Sequence, residues 1–143
     1  RENKDKCKDS VWGVFCGLAG LEAHMAVLLD GANKGYVSLE RIVQATSYNP
    51  ARMYGIYPQK GSLRVGADAD LIVVDKEQAL TEADLKVKCG WSPYCGISLK
   101  GWPVVTVVRG EVVAKAGEIV GEQGFGKQAK RLRSFDVKPE FIS

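Results

Sequence analysis

The sequence predicts a mixed fold, helical over about its first sixty residues and β-rich after them. Three observations carry that expectation. An apolar-periodic stretch at residues 21–30 is followed by two helix-start signals, Ser38 and Asn49-Pro50. Leu71, Ile72, Val73 and Val74 then form a β-branched apolar run that suits a strand buried on both faces. After that run come only short apolar segments separated by glycine turns. The stretch from Lys60 to Asp75 is therefore the seam between two architectures.

Residues 1–10 are dense in charge and read as an exposed loop. They lack an initiator Met, so the chain reads as an internal piece of something longer. Residues 11–20 are apolar but broken by Gly13, Gly17 and Gly20. They read either as a buried turn or as a loop whose backbone faces a ligand. Residues 21–30 predict a helix with Leu21, Met25, Leu28 and Leu29 on one face and Gly31 as its cap. His24 lies on that helix with nothing beside it at ligand spacing, and reads as structural or solvent-facing.

Asn33 to Gly35 predicts a turn. Ser38 is the N-cap of a second helix with Leu39, Ile42 and Val43 as its stripe. Asn49 caps a third, short helix with Pro50 in its first position, Met53 and Tyr54 facing inward, and Gly55 at its end. Gly66, Asp68 and Asp70 turn the chain into the strand at Leu71, which Asp75 ends.

Thr81 to Asp84 has a capping-box pattern. Residues 86–101 read as a loop in which Trp91 and Tyr94 bury their rings rather than bind a cofactor. Val104 to Val108 is a strand, Arg109-Gly110 a tight turn, and Glu111 to Ala114 the returning strand. Gly117 turns into a short strand at Ile119 and Val120, and residues 121–126 read as flexible. Residues 127–143 mix five basic side chains with Phe135 and Phe141, but Asp136 and Glu140 interrupt them. They form either a solvated tail or an arm on a neighbouring subunit.

With 143 residues, 45% hydrophobic and 26% charged, the chain can build one globular core. Its net charge of +3 is too small to argue for a nucleic-acid partner. No apolar run approaches the ~20 residues that cross a bilayer, and the charged N-terminus is not a signal peptide. Cys7, Cys16, Cys89 and Cys95 form no C-x-x-C pair, which suits free thiols in the cytoplasm. No repeat of 20–50 residues is visible.

Three groups of residues resemble one family. The first is Gly17-Leu-Ala-Gly-Leu-Glu22 with the helix after it. The second is Ser38-Leu-Glu40, Ser47-Tyr-Asn-Pro-Ala-Arg52, Gly55-Ile-Tyr-Pro-Gln-Lys-Gly61 and Gly66-Ala-Asp-Ala-Asp-Leu-Ile-Val-Val-Asp75. The third is Ser92-Pro-Tyr94, Gly101, Val107-Val-Arg-Gly110, Gly121 and Gly124-Phe-Gly126. Together they resemble the C-terminal portion of a cyclic amidohydrolase: hydantoinase, dihydropyrimidinase, allantoinase or dihydroorotase.

The resemblance implies an α/β plus β fold, the last helical part of a (β/α)8 metal-dependent hydrolase barrel followed by part of a small β-sandwich. Residues 1–60 would end the barrel, residues 61–126 belong to the sandwich, and residues 127–143 form the basic tail. It implies hydrolysis of a ring C–N bond aided by one or two zinc-type ions that acidify a water and polarise the carbonyl. Among rings, hydantoin and dihydropyrimidine come first, then allantoin, then dihydroorotate.

The family's ions are held by a His-x-His pair, a carboxylated lysine, two further histidines and an aspartate. This chain has one histidine and no His-x-His. No catalytic residue and no metal ligand is therefore expected in it, and alone it should be inactive and bind no zinc. One piece of the site is implied here: backbone groups of Cys16 and Gly17, hydrogen-bonded to the small cyclic amide. The alternative is that these residues only pack the barrel mouth.

A homo-oligomer is the expected assembly, because the chain alone would expose apolar helix faces and strand edges. Two other readings remain open at this point: a non-catalytic assembly relative of the same fold, and a free-standing oligomerisation module.

Overall fold

A computed structural model describes residues 12, 17, 19–80, 92–94 and 96–131. The expected loop at residues 1–10, the capping box at Thr81 to Asp84, Trp91, Cys7, Cys16, Cys89, Cys95 and the end of the tail lie outside these. The described elements are helices α1 (His24–Asn33), α2 (Leu39–Val43) and α3 (Asn49–Met53), then strands β1 (Leu71–Leu80), β2 (Leu99–Val108), β3 (Glu111–Lys115) and β4 (Glu118–Ile119). Helices thus precede strands, as the sequence predicts.

Helix α1 does not stop at Gly31. It runs on to Asn33 and closes at Gly35, whose φ is +76°. There the Gly35 N–H donates to Ala32 O at 3.0 Å and the Tyr36 N–H to Gly31 O at 2.9 Å. That pair is a Schellman closure, which needs a residue tolerant of positive φ, and Gly35 rather than Gly31 holds that position.

The buried face of α1 is Ala26, Leu29 and Asp30, with Ala23 buried just ahead of the helix, while Leu21 is 93% exposed. Leu21 precedes the first helical residue, so it does not share the helical phase. Small side chains on this face let α1 press against β2. A Cβ added at Gly101 would lie 2.4 Å from Leu29 Cβ. Gly101, expected in a loop, is thus a strand residue at the closest approach of helix and sheet.

Ser38 caps α2 as expected, its hydroxyl accepting the Arg41 N–H at 3.2 Å. Asn49 does not cap α3. Its φ of −64° and ψ of −46° are helical, and a π-helical turn over Gln44–Tyr48 joins α2 to α3 without a break. Pro50 accounts for this turn. A proline ring clashes with the carbonyl four residues back, and a wider turn relieves that clash. One extra residue in a turn rotates all that follows by about 100°. Met53 and Tyr54, expected inside, are accordingly 62% and 69% exposed, and Ala51 is buried instead. Gly55 ends the helix as predicted, with φ +68° and the Ile56 N–H on Ala51 O at 2.9 Å.

The sheet is wholly antiparallel in the order β1-β2-β3-β4. Leu71 pairs with Val107 and Val73 with Val105. Asp75 does not end β1 but breaks its ladder. Its Oδ1 accepts the N–H groups of Glu77 (2.9 Å) and Gln78 (3.2 Å), and regular pairing resumes at Ala79.

The Arg109-Gly110 turn has φ +49° and +85°, and Ala116-Gly117 has +50° and +80°. Two successive positive φ values are the signature of the tight hairpin turn that matches strand twist. Residues 121–126, expected to be flexible, make a defined turn. The Phe125 N–H donates to Glu122 O at 3.2 Å, and the Arg109 guanidinium lies 4.3 Å from the Phe125 ring centre.

The buried apolar side chains among the described residues are Ala23, Ala26, Leu29, Ile42, Ala51 and Leu99, half of them alanine. Leu63, Val65 and Ile119 are 79%, 103% and 82% exposed. Strand β1, expected to be buried on both faces, leaves Ile72 and Val73 41% and 48% exposed, because among the described elements it is an edge strand. A long apolar edge is a template for pairing with another chain.

Two outcomes follow from this packing. Gly101→Ala should lower stability by about 3 kcal/mol through overlap with Leu29 and a strained φ, whereas Gly110→Ala, with open space around it, costs ~1 kcal/mol from φ alone. Denaturant midpoints at one protein concentration measure both. In light scattering the isolated chain should show a mass above that of one copy that rises with concentration, and a concentration-independent monomer would contradict the edge argument.

Candidate functional site

Gly17 is exposed, with φ +89°, a value that favours glycine. A Cβ there would meet nothing within 4 Å, so the constraint is conformational rather than steric. Ala19 and Gly20 are half-buried, and the turn at residues 21–23 leads into α1. Gly17 thus lies exposed, ahead of the first described helix in the chain. Cys16, its expected companion, lies outside the described residues.

His24 is exposed in the first turn of α1. Among the described residues no three His, Cys, Asp or Glu side chains gather where they could hold a metal ion. One pair of carboxylates, Asp68 and Asp70, is engaged by a cation. Lys60 Nζ lies 2.9 Å from Asp68 Oδ2 and is also paired with Asp70 Oδ2. These residues do not fit a zinc-type ion, and no step of a reaction is assigned to one here.

That cluster instead locks the seam. Asp70 Oδ1 accepts the Arg109 N–H at 2.7 Å, and the Gly110 N–H donates to Ala69 O at 3.0 Å, so the loop before β1 is fastened to the β2–β3 turn. The hydrogen bond from Lys60 holds the Asp68 carboxyl below its ordinary value of 3.8. Burial alone would lower the Lys60 ammonium. The bonds to Asp70 and Asp68 outweigh it and raise the group above 10.5.

Beside the seam is an open groove of about 530 Å³, lined among others by Val43, Ser47, Tyr54, Leu63, Ile72 and Ala129. The sequence reading missed it. It is assembled from the π-turned helix, the loop after it, the β1 edge and the tail. At Gly61, one of its lining residues, the backbone packs so closely that an added Cβ would lie 2.6 Å from Ala51 Cβ and 2.8 Å from Ser47 O.

The sequence pattern described as the amidohydrolase family matches residues 14–113, and the chain belongs to that family. Within it, the chain is similar to an L-hydantoinase of Paenarthrobacter aurescens, 43% identical over 138 residues, which are 91% of this chain and 29% of the relative. It is also similar to a dihydroorotase of Pyrococcus furiosus, 40% identical over 87% of this chain and 31% of the relative. Among solved structures, "L-Hydantoinase (Dihydropyrimidinase) from Arthrobacter aurescens" superposes with a TM-score of 0.79 at 43% identity, over 88% of this chain and 29% of that one. The chain therefore spans less than a third of the length of these relatives.

The Lys60 cluster makes a prediction with two limbs. Asp68, depressed when folded, contributes stability above pH 3.8 that is lost as pH falls through its lowered value. Lys60, raised when folded, contributes stability below pH 10.5 that is lost as pH rises through its raised value. The gap in unfolding midpoint between the chain and Lys60→Met should be widest near neutrality and narrow below pH 3.8 and above pH 10.5. Urea titrations at several pH values measure it.

Proposed function

We propose that this chain is the C-terminal portion of a metal-dependent cyclic amidohydrolase that opens a hydantoin or dihydropyrimidine ring by hydrolysing its C–N bond. The observation that carries this reading is 43% identity to an L-hydantoinase across 91% of the chain. Residues 1–60 complete the barrel, residues 61–126 belong to the sandwich and residues 127–143 form the tail. The exposed β1 edge and the small core support an arrangement in which other polypeptide covers this surface.

The part taken by this chain at the site is a backbone one. Cys16 and Gly17 offer main-chain groups to the ring's amide, and the positive φ of Gly17 supports this. The ions are held by residues of the whole protein outside those described here. The whole protein is a cytoplasmic homo-oligomer. A dihydroorotase is the second reading, favoured by 40% identity to the Pyrococcus furiosus enzyme.

The test is an assay of the whole protein, supplied with zinc, on hydantoin, dihydrouracil, allantoin and dihydroorotate. Ring opening fastest on hydantoin or dihydrouracil is expected, with no turnover and no stoichiometric zinc in the 143-residue chain alone. Fastest turnover of dihydroorotate would favour the second reading. Turnover with bound zinc in the isolated chain would overturn the assignment of the ion site.

A further inference from the structure

Beyond β4 the chain turns back toward the helices. Its departure is pinned, since the Val120 and Gly121 N–H groups both donate to Val113 O at 3.0 Å. Its far part reaches the open groove, where Ala129 is one of the lining residues. Residues 122–131 therefore run as a strap from the end of the sheet to the groove. The strap contains no helix or strand, and of its ten residues Phe125 alone is half-buried, the other nine being exposed. A segment with so little burial sits at the low end of local stability and opens without the rest of the fold.

What holds the strap closed is Arg109. Its guanidinium donates to Phe125 O through Nη2 and lies 4.3 Å from the centre of the same residue's ring. A charge-assisted hydrogen bond is about twice as strong as a neutral one, and a cation on a ring face adds to it. The Arg109 backbone is fixed in turn. Its N–H donates to Asp70 Oδ1 at 2.7 Å, and Asp70 is paired with Lys60. Asp70 and Lys60 both line the groove. A chain of direct contacts thus runs from Phe125 through Arg109 to the lining of the groove.

We propose that residues 122–131 are a hinged strap that closes one side of the groove, and that Arg109 is its catch. The hinge lies between Gly121, pinned to β3, and Gly124, whose φ of +85° turns the chain sharply. Releasing the Arg109 contacts withdraws Ala129 and widens the groove. Neither the ring-opening reaction nor a bound ion enters this device.

The test is limited trypsin digestion of the whole protein, read by peptide mass. Lys127 and Lys130 lie in the strap, and cleavage after them tracks the population of its open form. Lys115, at the end of β3, reports on the sheet. Arg109→Gln removes the charge, and should speed cleavage after Lys127 and Lys130 about tenfold with cleavage after Lys115 unchanged. Phe125→Leu keeps the carbonyl acceptor and loses only the ring face, so about threefold is expected, and it covers failure of the Arg109→Gln variant to fold. Phe125→Tyr keeps the ring face and should match the wild type. The double variant should be cleaved no faster than Arg109→Gln, since both changes act through one contact.

The groove is read separately. Ser62 is half-buried in its lining, and a Ser62→Cys thiol should react with a maleimide faster once Arg109→Gln is added. Equal cleavage after Lys127 and Lys130 in the wild type and in Arg109→Gln would overturn the role of Arg109. So would a parallel rise after Lys115, the mark of general destabilisation, or effects that simply multiply in the double variant. Unchanged labelling of the Ser62→Cys thiol would overturn closure of the groove by the strap.

Discussion

The arrangement depends on how the end of α1 is fastened to the start of β2. Asp30 is 7% exposed, and its two carboxylate oxygens have separate tasks. Oδ1 accepts the backbone N–H of Lys100 at 3.1 Å, and Oδ2 pairs with Lys34 one helical turn on. Asn33, beside it, donates to the carbonyls of Lys76 (2.7 Å) and Lys100 (3.2 Å). These bonds satisfy backbone groups at the irregular stretch of the β1–β2 ladder after Asp75. The hydrogen bond from Lys34 holds the Asp30 carboxyl below its ordinary range, against a burial that pushes the other way. The charge is therefore retained where it is needed to accept the Lys100 amide. Once this end is fixed, Gly101 meets Leu29, and Ala26 packs against Leu99 one turn earlier along the helix.

Local chemistry made much of this legible. Ser38 capped the helix it was expected to cap, because an N-cap is a contact between a side chain and its own next turn. Gly55, Arg109-Gly110 and Gly117 took the positive φ values their turns require. What failed to read was decided by residues far apart in the chain or by helical phase. Pro50 looked like a helix start, yet it forced a π turn inside a continuing helix and so rotated Met53 and Tyr54 outward. Gly31 looked like a cap, but the helix runs on to Asn33 and closes at Gly35, which takes the positive φ that the closure needs. Gly101 looked like a loop residue because nothing in its neighbours reveals that Leu29 lies against it.

The candidate site was legible to different depths. Partial burial of the Tyr94 ring could be expected from an aromatic in a glycine-punctuated loop, but its packing against the cluster of Ala26 and Leu99 joins distant positions that no local pattern encodes. The role proposed for Gly17 comes from family resemblance alone, and its φ is a physical reason only for glycine standing there. The groove along the helices and β1 was invisible, since its walls come from four separate segments.

The proposed backbone contribution to the site also bears on which ring the whole protein would take. Main-chain N–H and C=O groups are present whatever the side chain, and a cyclic amide of any kind offers the complementary acceptor and donor. A portion that contributes only such groups recognises the amide and not the rest of the ring. It can then be shared between enzymes with different substrates. The L-hydantoinase and the dihydroorotase match this chain at 43% and 40% identity, so similarity in this portion barely separates them. Discrimination by several kcal/mol needs side chains that leave a buried polar group unpaired when the wrong ring binds, or that clash with its substituents. On the proposed reading, in which this chain offers the ring only main-chain groups, such side chains would have to come from the rest of the whole protein.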